Sequence, residues 1–273
     1  MSANHNDAAG FTLLELIVVV AALALILLCL MPALARTKPD TRAFQCLNNC
    51  RQLSRAWRMY ADDNQEKFPA GYSGIGPAPF PIMPWIAGWL DWGTSLDNTN
   101  TAYLTDPKYS AMATYCGRDA RPFKCPMDTF VSSPQRARGW RSRARSVSKN
   151  YGLGACYDFG GHFPLTGEYF AAKWTDLVKP KPSEVWMSVD ENPDSINDGD
   201  LHSPLATQWQ DYPANYHDGA AGVSFTDGHA VIHRWEASVL RFRINISVPT
   251  SIVVPVGDAD MAWVRNHSPQ QRP

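Results

Sequence analysis

The chain has 273 residues, enough for one folded domain and an appendage. Its 25 Lys and Arg against 26 Asp and Glu leave a net charge of −1, so bulk charge gives no ground for a nucleic-acid partner. Only 19% of residues are charged, and 10 Trp, 21 Pro and 18 Gly argue for a loop-rich folded body over a helical bundle.

Residues 1–10 are polar and contain neither Lys nor Arg. From Phe11 to Met31 the chain reads FTLLELIVVVAALALILLCLM, with Glu15 as its one charge and no Gly or Pro. As a helix this run extends about 31 Å, which matches a hydrocarbon core of about 30 Å. It is too long for the apolar stretch of a cleaved secretory signal, although Ala33 and Ala35 offer a cleavage-like pair after it. An ordinary signal anchor fits the length but leaves Glu15 unexplained, since a carboxylate within a bilayer costs several kcal/mol, about 3 on insertion scales.

The segment Gly10-Phe11-Thr12-Leu13-Leu14-Glu15-Leu16, followed by the long apolar run and Pro32, resembles the processing site of type IV prepilins and type II secretion pseudopilins. The resemblance implies a leader at 1–10, a prepilin peptidase cutting between Gly10 and Phe11, and N-methylation of the new Phe11 amino group. It implies a transmembrane helix over 11–31, and a Glu15 that pairs with the amino terminus of a neighbouring pilin-like subunit during assembly. Buried opposite charges need one another in low dielectric, which gives that pairing a physical basis. It also implies a body outside the cytoplasm, held at the bacterial inner membrane by lipid contact. Lys and Arg counted alone, with Arg36, Lys38 and Arg42 all after the run, point to the opposite orientation.

Residues 32–66 read as an amphipathic continuation of this spine helix. Asp40 or Thr41 caps it after Pro39, and Ala43, Leu47, Cys50, Leu53, Trp57 and Tyr60 recur every three or four residues. Cys46 and Cys50 share a face and resemble half of a metal site. No matching C-x-x-C exists elsewhere, so two buried small residues is the preferred reading. Beyond Phe68 the chain is rich in Pro, Gly and Trp. Trp85, Trp89 and Trp92 need burial, or else form an exposed aromatic surface for a glycan or a secreted substrate.

Six cysteines are present: Cys29 lies in the apolar run, and Cys46, Cys50, Cys116, Cys125 and Cys156 lie in the body. That odd body count leaves at least one thiol outside any intrachain pairing. Cys116 and Cys125 would close a short loop and are the expected disulfide, with the fully reduced state as the alternative. Arg136 to Arg145 surround Trp140 and read as a solvated loop or a contact with acidic groups on a neighbour rather than a nucleic-acid site.

Val147–Gly152, Glu184–Asp190, Gly222–Thr226 and His229–Trp235 read as strands, with Asp227-Gly228 as a two-residue hairpin turn. The acidic loop Asp190, Asp194, Asn197, Asp198 and Asp200 is a candidate Ca²⁺ site, with turn formation as the alternative. His229 and His233 lie about 13 Å apart along one strand, too far for a shared ion. His217 and Asp227 are expected to meet in a hydrogen bond that holds the loop before the hairpin, with a shared metal ion as the alternative.

His217, nine intervening residues and Asp227-Gly228 resemble the C-terminal signature of the prepilin-type processing-associated H-X9-DG proteins. The helix from Cys46 onward with its WRMYADDN stretch, Phe123 to Asp128, and DENPDSINDG at 190–199 resemble that family as well. The expectation is an α+β, pilin-like fold. A long N-terminal helix packs on a small antiparallel sheet, and the globular body spans 67–273. No Ser/His/Asp elbow, phosphate-binding Gly loop or carboxylate pair flanked by an obvious cleft is read from the sequence. The chain is therefore expected to be a structural subunit with no catalytic residue. The alternative is an anchored binding module using the Trp-rich insertion, and an anchored metalloenzyme is the third reading.

Overall fold

The computed structural model describes residues 13–36, 41–79, 83–158, 170–202, 208–236, 244–246 and 251–270, and their side chains except at 26–36, 41, 156 and 158. Two compact units result, Met1–Thr41 and Arg42–Pro273. Gly10 and Phe11 lie outside the described residues.

The first unit contains α1 (Leu13–Arg36). Every described side chain from Leu13 to Leu25 is exposed, with Leu13 at 75% and Val18 at 60%. Glu15 sits in the first turn, where an acid suits the helix dipole. A helix apolar on every face is ordinarily covered, by lipid or by protein. Among the described residues no helix is long and apolar enough to cross a membrane.

The second unit is α+β. Its helix α2 (Thr41–Asp63) is amphipathic as expected. The buried stripe is Cys46, Cys50, Leu53, Ser54, Ala56, Trp57 and Ala61, rotated slightly from the one anticipated, so that Cys46 rather than Ala43 or Leu47 points inward. The helix stops where Gln65 and Glu66 adopt positive φ. Five further α-helix and strand elements follow before the main sheet closes: β1 (Gly71–Ser73), α3 (Ala102–Thr105), α4 (Ser133–Ala137), β2 (Val147–Asn150) and β3 (Cys156–Asp158). Then come β4 (Trp186–Asp190), β5 (Asp200–Leu201), β6 (Gln208–Trp209), β7 (Ala220–Phe225), β8 (Ala230–Arg234), β9 (Ile252–Val253) and α5 (Ala259–Asn266).

The main sheet runs β5-β2-β4-β7-β8. It is mixed rather than antiparallel throughout, because β5 joins the edge parallel to β2. β1 pairs with β3 in parallel, and β6 with β9 antiparallel. Strand alternation gives β7 two distinct faces. Ala221, Val223 and Phe225 pack with Trp186, Trp209, Trp235 and Met261 of α5. Gly222 faces Cys46 and Cys50 of α2, and Ser54 Oγ of α2 donates to Phe225 O at 2.8 Å. On the same side of the molecule Leu53, Trp57, Trp85 and Phe123 form a second apolar cluster. There the Trp57 ring lies 5.9 Å from Trp85 and 6.1 Å from Phe68. Full burial of such a side chain contributes roughly 1.5–3 kcal/mol.

The β7–β8 hairpin is one residue longer at its tip than Asp227-Gly228 alone suggests. Phe225 N donates to His229 O and Gly228 N to Phe225 O, which leaves Thr226, Asp227 and Gly228 as a three-residue turn. Gly228 takes φ +101, the conformation that such a turn demands at its last position.

The Arg-rich segment is only partly solvated. Arg143 and Arg145 are 1% exposed. Arg143 lies 4.1 Å over the Trp92 ring and donates to Pro193 O at 2.9 Å. Arg145 donates to Asn197 O at 3.0 Å, and burial draws its guanidinium down to about 10. These arginines fasten the 190–200 loop to the insertion, a role that composition alone does not reveal.

Candidate metal centre

Four chain segments converge where α2 crosses β4 and β7. From α2 comes Cys46, with Cys50 one turn later on the same face, both buried. Cys125 sits in the turn after a short 3₁₀ segment, Arg121–Phe123. Its position is fixed by its own N–H, which donates to Ser146 Oγ at 2.8 Å. Asp190 ends β4, and Ala214 N holds its carbonyl at 2.7 Å. His217 lies in the turn before β7, where its N–H donates to Ala220 O at 3.1 Å. That turn reverses through Asp218 and Gly219, both at positive φ.

One ligand-capable atom from each of Cys46, Cys125, Asp190 and His217 lies within 4.8 Å of the other three, and all four residues are buried. The Cys46 thiol donates to Asp190 Oδ2 at 2.9 Å. Cys125 Sγ and His217 Nε2 are 3.3 Å apart. Gly222 N donates to Asp190 Oδ2 at 3.1 Å, Ser146 Oγ approaches Asp190 Oδ1 at 3.4 Å, and Met127 N donates to Cys125 Sγ at 3.4 Å. A Cβ at Gly222 would lie 2.5 Å from Cys46 Sγ, 2.9 Å from Asp190 Oδ2 and 3.0 Å from Cys50 Sγ. Glycine is therefore what keeps room for this group.

The electrostatics follow from crowding acidic groups in a dry place. Contacts with the Cys125 and Cys50 thiols, then burial and Asp190, push the Cys46 thiol well above its usual range. At Cys125 the contact with Cys46 pulls downward, but burial and Asp190 prevail and the thiol is raised. Burial lifts Asp190 to about 6, against donation from Cys46 and Gly222. The cluster favours neutral thiols on its own. A cation among them would reverse that preference.

Other expected site residues lie elsewhere. Asp227 does not meet His217. It is part of the hairpin tip and accepts from His229 N at 3.1 Å, with His229 Nδ1 at 2.6 Å. His217 turns inward to Cys125 instead. Cys116 and Cys125 are free thiols, as are Cys46 and Cys50. The expected bridge is absent because Cys125 faces Cys46 and His217, while Cys116 packs against the Trp57 cluster.

The five proposed calcium ligands are dispersed. Asp190 belongs to the thiol cluster. Asp194 Oδ1 accepts from the Trp92 indole at 3.2 Å and its Oδ2 from Asn245 N at 2.6 Å. Asn197 Oδ1 accepts from Asp198 N, and Asp198 accepts from Ser73 Oγ at 2.6 Å and from Asp200 N at 2.9 Å. Asp200 forms a fully buried ion pair with Lys149. These contacts order a loop and do not converge on one ion. His229 and His233 are likewise separate: His229 stacks on Phe225 and His233 on Trp263.

Trp85 is wholly buried. Trp89 and Trp92 are half-buried and, with Leu90, Pro193 and Ile196, line a cavity of about 390 Å³.

Sequence reasoning missed the convergence at Cys46. The available signals were the Cys46–Cys50 face, the Phe123–Asp128 stretch and the His217 motif, each readable alone, with no local spacing that joins them.

Residues 5–29 match the family model of the prokaryotic N-terminal methylation motif. The match supports a prepilin- or pseudopilin-type protein and ends before the body begins. No curated protein and no solved structure matches the chain.

Proposed function

We propose that this chain, carrying a prokaryotic N-terminal methylation motif, is a pilin-like structural subunit of a type II secretion or type IV pilus-like system. The observation that carries the reading is the motif match across 5–29, which brackets Gly10, Phe11 and Glu15. Prepilin peptidase removes 1–10, and the amino group of Phe11 is methylated. The 11–31 run spans the inner membrane once, with the body on the extracytoplasmic side. The chemistry is done to the protein, and the chain itself is not an enzyme.

Physical support comes from α1. Its described apolar side chains point outward on all faces, so the helix is stable only against lipid or other apolar helices. Lipid serves before assembly and neighbouring subunits serve after it. Glu15 then meets the ammonium that cleavage creates on an adjacent subunit, which offsets the cost of both charges in low dielectric. Expected behaviour of Glu15→Ala is normal membrane insertion with incorporation into the assembly reduced several-fold, read by cross-linking in native membranes. Unchanged incorporation removes the charge-pairing mechanism.

The direct test is mass spectrometry of the N-terminus of protein taken from native membranes. A chain starting at N-methylated Phe11 is the expected result, and an intact Met1 or a cut after Ala35 overturns it.

A binding role on the same anchor is the second reading, favoured by the aromatic cavity of Trp89 and Trp92. Trp85 has no part in it, being core. Glycan-array binding that disappears in Trp89→Ala would mark this role.

A further inference from the structure

We infer that Cys46, Cys125, Asp190 and His217 bind one Zn²⁺ ion that fastens four segments of the body together. The donor set is the first reason. Two sulfurs, an imidazole nitrogen and a carboxylate oxygen suit zinc. Calcium and magnesium prefer all-oxygen shells.

Geometry is the second reason. A zinc tetrahedron with Zn–S bonds of about 2.3 Å and Zn–N bonds of about 2.0 Å has edges of roughly 3.3–3.8 Å. Here all four donor atoms fall within 4.8 Å of one another, with Cys125 Sγ to His217 Nε2 at 3.3 Å. The 2.9 Å between Cys46 Sγ and Asp190 Oδ2 widens by under about 1 Å on loading.

The surrounding groups are the third reason. Ligands of structural metals are held by outer hydrogen bonds. Asp190 has Gly222 N and Ser146 Oγ, and Cys125 Sγ has Met127 N. Gly222 leaves the space that any side chain would fill. Cys125 also borders an open groove of about 790 Å³, which gives an ion a way in.

Burial of all four ligands indicates a closed, structural site rather than a catalytic one, which keeps a position open for water. Binding forms two Zn–S bonds, one Zn–N bond and one Zn–O bond. The two thiol protons leave to solvent, along with any proton on Asp190. Cys50, one turn from Cys46, is the neighbouring thiol and not a ligand.

The test uses the full chain purified in detergent micelles. Elemental analysis is expected to find one zinc per chain. Exchange for Co²⁺ is expected to give tetrahedral visible bands with thiolate-to-cobalt charge transfer. Cys125→Ser and His217→Gln should each weaken zinc affinity at least about 100-fold, at or beyond the upper end of the 10–100-fold typical of an outer-shell change. Cys116→Ser should leave it unaltered.

Should those variants fail to fold, alkylation of the wild type before and after chelation decides: Cys46 and Cys125 are expected to become reactive only when zinc is stripped, and protection that chelation leaves unaltered overturns the proposal. Metal-free protein with a disulfide from Cys125 to Cys46 or Cys50 overturns the proposal. So does a cobalt spectrum without charge transfer, or equal metal loss in Cys116→Ser. None of these readouts depends on prepilin processing.

Discussion

α1 and α2 are nearly equal in length, at 24 and 23 residues, yet they solve opposite problems. In α1 the described apolar side chains are exposed all round. In α2 most of them form one buried stripe, with Leu53 and Trp57 inside and Arg42, Arg55 and Arg58 outside together with the exposed Phe44 and Met59. Helix formation is common to both. What separates them is where each can place its apolar surface: α2 has a sheet and a Trp cluster within its own unit. The Pro-free, almost uncharged part of α1 instead requires an outside solvent or partner. A helix thus reports its surroundings through the distribution of its side chains rather than through its length.

The sharpest way to break this contrast is to remove the stripe from α2. Trp57→Ala should destabilise the body by about 3–5 kcal/mol, since the indole is fully buried against Trp85 and Phe68. The midpoint of urea unfolding of the full chain in micelles checks this. A loss below about 1 kcal/mol would mean that the site collapses without a cavity.

The matching change in α1 is Val19→Arg. In this region it should leave body stability unaltered and cost about 2.5–3.5 kcal/mol in membrane insertion. Glycosylation-tagged insertion assays would measure the cost. Equal insertion of variant and parent would contradict the spanning role.

Acidity separates the two regions more gently. Burial lifts Asp211 to about 7, against the pull of His202. A carboxyl raised above its unfolded value of about 3.9 makes the folded state bind the extra proton. Its contribution is complete below about pH 4 and is lost as pH rises through about 7. Body stability should therefore fall across that window, by at most about 1.4 kcal/mol per pH unit. Asp211→Asn keeps an acceptor for His202 N and should flatten the slope. Thermal unfolding from pH 4 to pH 8 reads the difference, and an unchanged slope would assign it to other acids.

Local patterns in the sequence carried well into the structure. The 3–4 spacing along α2 and the four strand segments all describe neighbours within one element, where side-chain direction follows from backbone geometry. The turn at Asp227-Gly228 was legible in place but not in length, because the third residue depends on the pairing of Phe225 with His229. Long-range features were not legible. Cys46, Cys125, Asp190 and His217 come from a helix, two turns and a strand end, and nothing in their spacing says that they meet. Arg143 and Arg145 read as solvated charge in the sequence because their carbonyl partners, Pro193 and Asn197, lie far along the chain. A Cys116–Cys125 pairing follows from loop length alone, which ignores the direction in which each thiol points.

Gly222 carries a consequence for how such a chain can change over generations. A single methyl at that position collides with two sulfurs and a carboxylate, so Gly222 cannot drift while the cluster stands. Were the cysteines and Asp190 lost first, a methyl would fill the vacated space and knit β7 to α2 directly. The glycine and the thiols thus form one heritable unit, kept together or surrendered together. A bulkier residue at 222 in a descendant would be the visible trace of an abandoned centre.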